Sequence, residues 1–196
     1  MNKSVLLLGL LLGLIGCAET PPRQQDNLCG IFNEKDDWYD DTLRAARRWG
    51  APIAVQLAFI QQESSFVADA RPPRLYLLGF IPWFRDSSSY GYAQAQDDTW
   101  SDYQDASGNS FADRDDFADS CDFISWYCRN SHQKLGIPFN DVKNLYLSYH
   151  EGWSGYQRKT YLQKPELLQI ADKVRQRALK YDAQLSACRA ELETNR

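Results

Sequence analysis

The C-terminal segment carries the sequence pattern that most constrains the fold. After Pro165, apolar residues recur at alternating spacings of four and three. They are Leu167, Ala171, Val174, Ala178, Tyr181, Leu185, Cys188 and Leu192. Because this spacing puts one apolar stripe on one face of an α-helix, the helix must pack that face against the rest of the protein. The sequence therefore predicts a long C-terminal helix over 165–192, opened by the proline.

Four earlier segments have the sequence pattern of helices. The first begins with acids and ends with basic residues before Gly50, the second opens at Pro52 and has an apolar stripe, and the third has Phe, Cys and Ile residues spaced four, three and four. The predicted helices cover 36–49, 52–63, 115–134 and 140–150, the last capped by Asn140 and stopped by Gly152. Residues 69–90 differ, because they combine three prolines with a dense apolar centre. We predict a long loop there that can contain a short hairpin, within an otherwise mainly α domain.

The size and charge of the chain limit its functions. Its 196 residues suffice for one domain with a sizeable core. The net charge of −4 and the lack of a Lys/Arg block argue against a nucleic-acid partner, which requires a basic surface. The chain has only two histidines, His132 and His150, and no tightly spaced cysteine pair. A zinc site of Cys and His ligands is therefore not predicted.

The N-terminus has the features of an export signal. Residues 5–15 form an apolar run that is too short for a membrane span, which takes about 20 residues. The following Leu-Ile-Gly-Cys resembles a bacterial lipobox, so we expect residues 1–16 to be a lipoprotein signal peptide and Cys17 to be lipidated. A plain signal peptide cut elsewhere is the alternative. Residues 17–30 would then be the lipidated Cys and a tether, and Ala18 favours the outer membrane, facing the periplasm.

Export makes the other cysteines candidates for disulfides. They are Cys29, Cys121, Cys128 and Cys188. Cys121 and Cys128 lie seven residues apart on a predicted helix, so about 10 Å separates their Cα atoms, beyond the reach of a disulfide. Two connectivities remain, and each joins Cys29 to one member of this pair and Cys188 to the other.

One glutamate, Glu63, ends the apolar segment 52–63. The negative end of a helix dipole opposes ionisation of a carboxyl group placed there. Burial beside Phe59, Ile60 and Phe66 would oppose it as well. Both effects raise the pKa of the carboxyl, as an acid that donates a proton near neutral pH requires. A solvated glutamate at a helix end is the alternative.

Three segments in order resemble the motifs of the soluble-lytic-transglycosylase-like (SLT) family, within the lysozyme-like superfamily. QQESSF at 61–66 resembles its E-S-x-F signature, and SYGYAQAQDDTW at 89–100 resembles its G-L-M-Q motif with a later Thr. SYHEG at 148–152 resembles its A-Y-N-A-G motif. The resemblance implies a mainly α, goose-type lysozyme-like fold over residues 31–196.

The resemblance also implies a lytic transglycosylase that needs no metal or cofactor. Its substrate would be the peptidoglycan glycan strand, cut at the β-1,4 bond between N-acetylmuramic acid and N-acetylglucosamine. Glu63 would protonate the glycosidic oxygen and then take the proton of the muramoyl C6 hydroxyl, giving a 1,6-anhydro product. One carboxylate suffices for this chemistry, because the substrate supplies its own nucleophile.

Other motif residues acquire expected roles in the same way. Ser64 would bind the saccharide or polarise its groups near the acid, and Gln94 would hydrogen-bond Glu63 or the sugar. Tyr149 would orient the carboxyl of Glu63. Tyr92, in the second motif, and Trp153, just after the third, are further candidates for substrate binding. Without the resemblance, Gln94 and Tyr149 would be interpreted as structural residues.

The reaction type stays open, because hydrolytic glycosidases commonly use a second carboxylate. Candidates for it are Asp69, Asp86, Asp97 and Glu151. Glu151 and His150 stand where the family has a small residue and Asn. They leave a muramidase on the same fold as an alternative. A non-catalytic peptidoglycan-binding lipoprotein of the envelope is a second alternative.

The apolar insertion 72–85 is longer than the family usually carries between its first two motifs. Its large side chains could pack on the domain, wall the glycan groove, or touch a partner or the membrane. They are Leu75, Tyr76, Phe80, Trp83 and Phe84. Trp100 and Trp153 are predicted either to stack on sugar rings or to lie in the core.

Overall fold

The computed structural model describes residues 19–74, 76–77, 81–82 and 87–194. In this part the chain forms seven α-helices, a short 3₁₀ helix and a two-stranded antiparallel hairpin, so the mainly α prediction is confirmed. The elements are α1 (Leu28–Glu34), α2 (Trp38–Trp49), α3 (Ile53–Ser64), β1 (Tyr76–Leu77), β2 (Ile81–Pro82), α4 (Asp97–Ser107), α5 (Phe117–Leu135), α6 (Val142–Gln157), the 3₁₀ helix Thr160–Gln163 and α7 (Pro165–Thr194).

Helix α3 is the central element. Every residue from Ile53 to Ile60 is buried, so the helix is enclosed on all sides. The one polar side chain in this run, Gln56, donates from Nε2 to the carbonyls of Thr42 and Ala51, at 3.1 and 3.0 Å. These bonds satisfy the donors of the buried amide, while its Oε1 has no partner among the described residues. The enclosed part of α3 therefore fixes its last turn, 61–64, which is partly buried.

Helix α7 matches the predicted stripe and forms the long spine of the domain. Its 30 residues span about 45 Å. Seven positions of the stripe are buried, and Cys188 is partly buried, against α1, α3 and α6. The burial of one face along nearly its whole length explains why so long a helix belongs to the same single domain.

A disulfide joins Cys29 on α1 to Cys188 on α7, with 6.2 Å between the Cα atoms. Cys121 and Cys128 are free thiols buried in α5. Both predicted connectivities are therefore wrong. The distance argument that excluded a bond between Cys121 and Cys128 holds, but those connectivities also required every cysteine to be paired.

The described part of the predicted tether lies against the domain. The backbone carbonyl of Gln25 accepts from the Tyr181 hydroxyl, and its side-chain amide donates to the carbonyl of Ser65 at 3.0 Å. Asp26 pairs with Arg177 at 2.6 Å. The last residues of the range 17–30 begin α1. Residues 1–18, with the predicted lipidation site Cys17, lie outside the described residues.

Two local predictions need correction. Helix α6 is capped by Asp141, which accepts from the backbone of Asn144, and not by Asn140. Gly152 does not stop the helix. It adopts φ 70° and ψ 160°, a break after which the helix resumes to Gln157.

In the insertion, the predicted hairpin is present. The side chains of 75–86 lie outside the described structure, including those of Leu75, Tyr76, Phe80, Trp83, Phe84 and Asp86. In the part of the chain described, no helix has the length and apolar character of a membrane span.

Candidate active site

Glu63 lies in the last turn of α3, where the chain reverses sharply. Ser65 and Phe66 both have positive φ, 51° and 62°. Phe66 is fully buried and stacks on Trp38, with 5.6 Å between the ring centroids. This anchored reversal fixes the end of α3, and therefore the position of the glutamate.

The environment of Glu63 favours the neutral carboxylic acid. Its Oε1 is buried and has no hydrogen-bond partner among the described residues. Burial raises the pKa of Glu63 to about 7, and a hydrogen bond from the Tyr146 hydroxyl acts in the opposite direction. The C-terminal end of the α3 dipole also disfavours a negative charge. A carboxyl group with this pKa can donate a proton near neutral pH.

Glu63 lines an open cavity of about 500 Å³. The wall contains residues of the three motif segments, Pro72 at the start of the insertion, Ser87 just after its end, and part of α5. The residues are Glu63, Pro72, Ser87, Ser89, Gln94, Ala95, Gln96, Thr99, Phe123, Tyr127, Tyr149, His150, Glu151 and Gly152. Hydroxyl, amide and aromatic groups predominate, a lining suited to a polar ligand with ring faces, such as a sugar chain.

The second motif builds a tight loop at the cavity edge. Gly91 has φ 79°, and a Cβ atom there would lie 1.8 Å from the carbonyl oxygen of Arg114. Only glycine fits this backbone approach. The Gln94 amide donates to the carbonyls of Ala70 and Gly91, both at 2.9 Å. Gln94 therefore clamps the loop, and its Oε1 accepts no hydrogen bond from a described residue.

Helix α6, which carries the third motif, brings two tyrosines next to α3. The rings of Tyr146 and Tyr149 lie 5.2 and 5.3 Å from the ring of Phe59, one turn before Glu63. The Tyr149 hydroxyl donates to the carbonyl of Ala93, which ties α6 to the second motif. The predicted role of Tyr149 therefore needs correction, because the hydrogen bond to the glutamate comes from Tyr146. Sequence analysis missed Tyr146, although its spacing of three from Tyr149 places both on one helix face.

Glu151 lies in the cavity wall within a network of donors. Its side chain is 3% exposed, and Oε1 accepts from Lys164 Nζ at 2.6 Å. The Thr160 hydroxyl donates to Oε2. Burial alone would raise the pKa of Glu151, but the hydrogen bonds from Lys164, Thr160 and His150 outweigh it and hold the pKa at about 2.

Glu151 is the one candidate second carboxylate that the described cavity wall contains. Asp69 is exposed and outside the wall. Asp97 pairs with Arg114 at 2.8 Å, also outside the wall. Among the described residues, no group of His, Cys, Asp and Glu is arranged to hold a metal ion.

Several predicted sugar contacts lie elsewhere. Tyr92 is fully buried and packs edge-on against Trp38 and Phe117, so its predicted contact with substrate is wrong. Ser64 lies outside the cavity wall, and its hydroxyl donates to the carbonyl of Ile60 at 3.1 Å. Its position at the end of α3 explains this, because a serine there readily bonds the carbonyl four residues back.

Neither of the two candidate tryptophans offers a free face to a sugar. Trp100 is a core residue. The Trp153 ring stacks on Tyr127 at 4.8 Å, and Lys134 Nζ lies 3.3 Å from its centroid. The cavity wall instead contains Phe123 and Tyr127 of α5, a helix on which the sequence motifs give no signal.

A helical domain that holds one neutral carboxyl in a polar cavity belongs to the lysozyme-like class. The family model described as the transglycosylase SLT domain matches residues 5–188. The chain therefore belongs to the transglycosylase SLT domain family. A comparison with curated proteins finds no match. Membership of this family indicates a glycan-cleaving activity on peptidoglycan.

Proposed function

We propose that the protein is a lytic transglycosylase that cuts the β-1,4 bond between N-acetylmuramic acid and N-acetylglucosamine and forms 1,6-anhydro ends. The observation that carries the proposal is the carboxyl of Glu63, which burial keeps protonated up to about pH 7 within a polar cavity. It lines the same cavity as residues of the second and third motifs of the family, which supports a role at the reacting bond.

The reaction balances with Glu63 as the single proton-transfer group. Its acid form gives a proton to the glycosidic oxygen as the bond from that oxygen to the muramoyl C1 breaks, and the N-acetylglucosamine side leaves as an alcohol. The C6 hydroxyl of the same muramoyl residue then bonds to C1, and its proton passes to the Glu63 carboxylate. The acid is regenerated and no water is consumed.

Other residues of the wall support this chemistry. Gln94 presents an amide oxygen that can accept from a sugar hydroxyl or an N-acetyl NH. Tyr149 keeps the second motif against α6 through Ala93. Phe123 and Tyr127 lie behind the wall and support it from the core, since only 1% and 5% of their surface is exposed. The fixed position of the acid on the enclosed helix α3 is the preorganisation that proton transfer requires.

The test is digestion of purified peptidoglycan by the mature protein, followed by mass analysis of the fragments. We expect anhydro-muramoyl ends, and we expect Glu63→Gln to abolish them while the helical circular dichroism is kept. Glu166→Gln is the matched control, because Glu166 is exposed in the first turn of α7 and outside the cavity. Cleavage by the Glu63→Gln variant would exclude this acid. Binding of glycan without release of fragments would instead identify the non-catalytic binder.

We further propose that the protein is an outer-membrane lipoprotein that faces the periplasm. The lipobox-like ending at Cys17 supports the anchor, and Ala18 supports the outer membrane. Since Gln25 and Asp26 bond to Tyr181 and Arg177, the anchor would join the domain on the side of α7. Replacing Cys17 by Ser is expected to release the protein from the membrane fraction. Retention of this variant in that fraction would argue against the anchor.

A further inference from the structure

His150 and Glu151 form a dyad in the cavity wall. Nδ1 of His150 lies 3.1 Å from Oε1 of Glu151. Because Glu151 is held ionised, Nδ1 of the imidazole carries the proton of this hydrogen bond. Nε2 of the neutral ring is then an acceptor. The His150 side chain is 46% exposed, and it lines the same cavity as Glu63.

Glu151 can position the imidazole but is poorly placed to react. Lys164 and Thr160 donate to its two oxygens, and its side chain is almost completely buried. Directly after it, Gly152 breaks the helical backbone, and residues 150–152 all contribute to the wall. A histidine that is held by a buried carboxylate and lines an open cavity has the arrangement of a general base.

We propose that the His150–Glu151 dyad gives this site a second, hydrolytic activity by activating a water molecule. The inference rests on the proposed cleavage by Glu63. In the hydrolytic branch, Glu63 protonates the glycosidic oxygen, and the bond from C1 to that oxygen breaks. The oxygen of water bonds to C1, and a proton of that water passes to Nε2 of His150. The products are a reducing muramoyl end and an N-acetylglucosamine alcohol.

Each group then returns to its starting state by exchange with solvent. His150 releases its proton, and Glu63 gains one. The titratable and charged groups around the imidazole are Glu151, which it contacts, Lys164, which bonds the same oxygen of Glu151, and Glu63, Tyr127 and Tyr149, which line the same cavity. Glu63 is the one among them that is suited to act as the acid near neutral pH, because burial raises the pKa of its carboxyl to about 7, whereas burial raises the pKa of the Tyr127 and Tyr149 hydroxyls well above their ordinary value.

The experiment measures the ratio of the two products from a defined oligosaccharide of alternating N-acetylmuramic acid and N-acetylglucosamine. Borohydride reduction converts reducing ends but leaves anhydro ends intact, so mass analysis separates them. We expect both from the wild-type protein. We expect His150→Asn, which restores the family's residue type, to lower the yield of reducing ends about 100-fold, the usual contribution of a general base, while anhydro ends still form.

Two further variants keep the inference falsifiable. Glu151→Gln keeps an oxygen for Nδ1 but removes the charge, and it is expected to shift the ratio toward anhydro ends. A purely structural role of Glu151 would lower both products together. His132→Asn is the matched control, since His132 packs on Phe139 and bonds the carbonyl of Ile137 outside the cavity, and its ratio is expected to equal that of the wild type.

Two results would overturn the proposal that the His150–Glu151 dyad activates water. One is a wild-type product with anhydro ends alone, and the other is an unchanged ratio in His150→Asn. Either result would leave the proposed transglycosylase intact. Loss of all cleavage by the wild-type protein, or cleavage by Glu63→Gln, would instead count against the proposed function.

Discussion

The Tyr146 hydroxyl offers a hydrogen bond to the carboxyl of Glu63, whereas the Tyr149 hydroxyl is bonded to the carbonyl of Ala93. The two tyrosines lie one turn apart on α6 and pack on the same side chain, Phe59. One tyrosine therefore acts on the charge of the acid, and the other acts on the position of the second motif. Since these effects are separable, substitutions can distinguish them.

The first prediction concerns the pH dependence of cleavage by the wild-type protein. Glu63 must be protonated to donate, and its pKa is raised to about 7. We expect kcat/KM for anhydro-end formation to fall about tenfold for each pH unit above 7, because the acid form falls in that proportion. Initial rates between pH 5 and 9 measure this. A rate that already falls at pH 5 would mean that the carboxyl ionises as in an exposed glutamate.

The second prediction compares the two tyrosines. The hydrogen bond from Tyr146 lowers the pKa of Glu63, so we expect Tyr146→Phe to raise it and to move the decline of kcat/KM to higher pH. Tyr149→Phe should leave the pH of the decline in place. It should instead reduce stability by about 1–3 kcal/mol, because it leaves the carbonyl of Ala93 unpaired. The two pH profiles and urea denaturation provide the readouts. If Tyr149→Phe alone moved the decline of kcat/KM to higher pH, Tyr149 and not Tyr146 would be the tyrosine that bonds Glu63.

The third prediction concerns stability. Because the folded-state pKa of Glu63 is raised from 4.5 to about 7, the folded protein binds the proton more tightly than the unfolded chain. The contribution of Glu63 to stability is therefore fully present below pH 4.5 and is lost as the pH rises to 7. Glu63→Gln removes this titration. The difference in unfolding free energy between the variant and the wild type should grow by on the order of 3 kcal/mol from pH 4.5 to 7, then stay constant.

Urea denaturation of both proteins at pH 4, 5.5, 7 and 8.5 measures that difference. Glu166→Gln again serves as the control, since Glu166 is exposed. A difference that is flat across this range would mean that Glu63 has an ordinary pKa in the folded state. The activity assay and this measurement test the same carboxyl independently.

The parts of the fold that local pattern determines were predictable from the sequence. The stripe on α7 and the signals around α2 and α3 concern residues within one or two turns of one another, and the structure follows them. The raised pKa of Glu63 was predictable for the same reason, because it arises from the helix end and its apolar neighbours. Predictions failed where the outcome depends on distant parts of the chain.

The environment of Glu151 illustrates that limit. Its donors, Thr160 and Lys164, come from the segment after α6, and nothing in the third motif indicates that they return to it. Tyr92 faces inward because Gly91 presses the loop against the backbone of Arg114. Both arrangements depend on tertiary contacts, which a motif alignment does not contain.

The fourth prediction concerns the disulfide between Cys29 and Cys188. It closes a loop across a sequence separation of 159 residues, so the chain-entropy relation gives a stabilisation of roughly 5 kcal/mol, within a measured range of about 0–5. We expect the double replacement by Ala to lower the unfolding free energy by about 2–5 kcal/mol. Alkylation of the denatured, unreduced protein should modify Cys121 and Cys128 but neither Cys29 nor Cys188. A bond between Cys29 and a cysteine of α5 would contradict the connectivity.

The fifth prediction tests the close backbone approach in the second motif. Gly91 and Gly108 have similar positive φ values, 79° and 71°, but a Cβ atom at Gly91 would meet the carbonyl oxygen of Arg114 at 1.8 Å, whereas nothing lies within 4 Å at Gly108. Gly108→Ala should cost about 1–2 kcal/mol, from backbone strain alone. Gly91→Ala should cost about 3 kcal/mol or more, because the loop must also move away from Arg114.

The same pair of variants should also differ in activity. Since that loop holds Gln94 in the cavity wall, Gly91→Ala should lower glycan cleavage, whereas Gly108→Ala should not. Equal losses of stability in the two variants would mean that the loop does not approach Arg114 this closely.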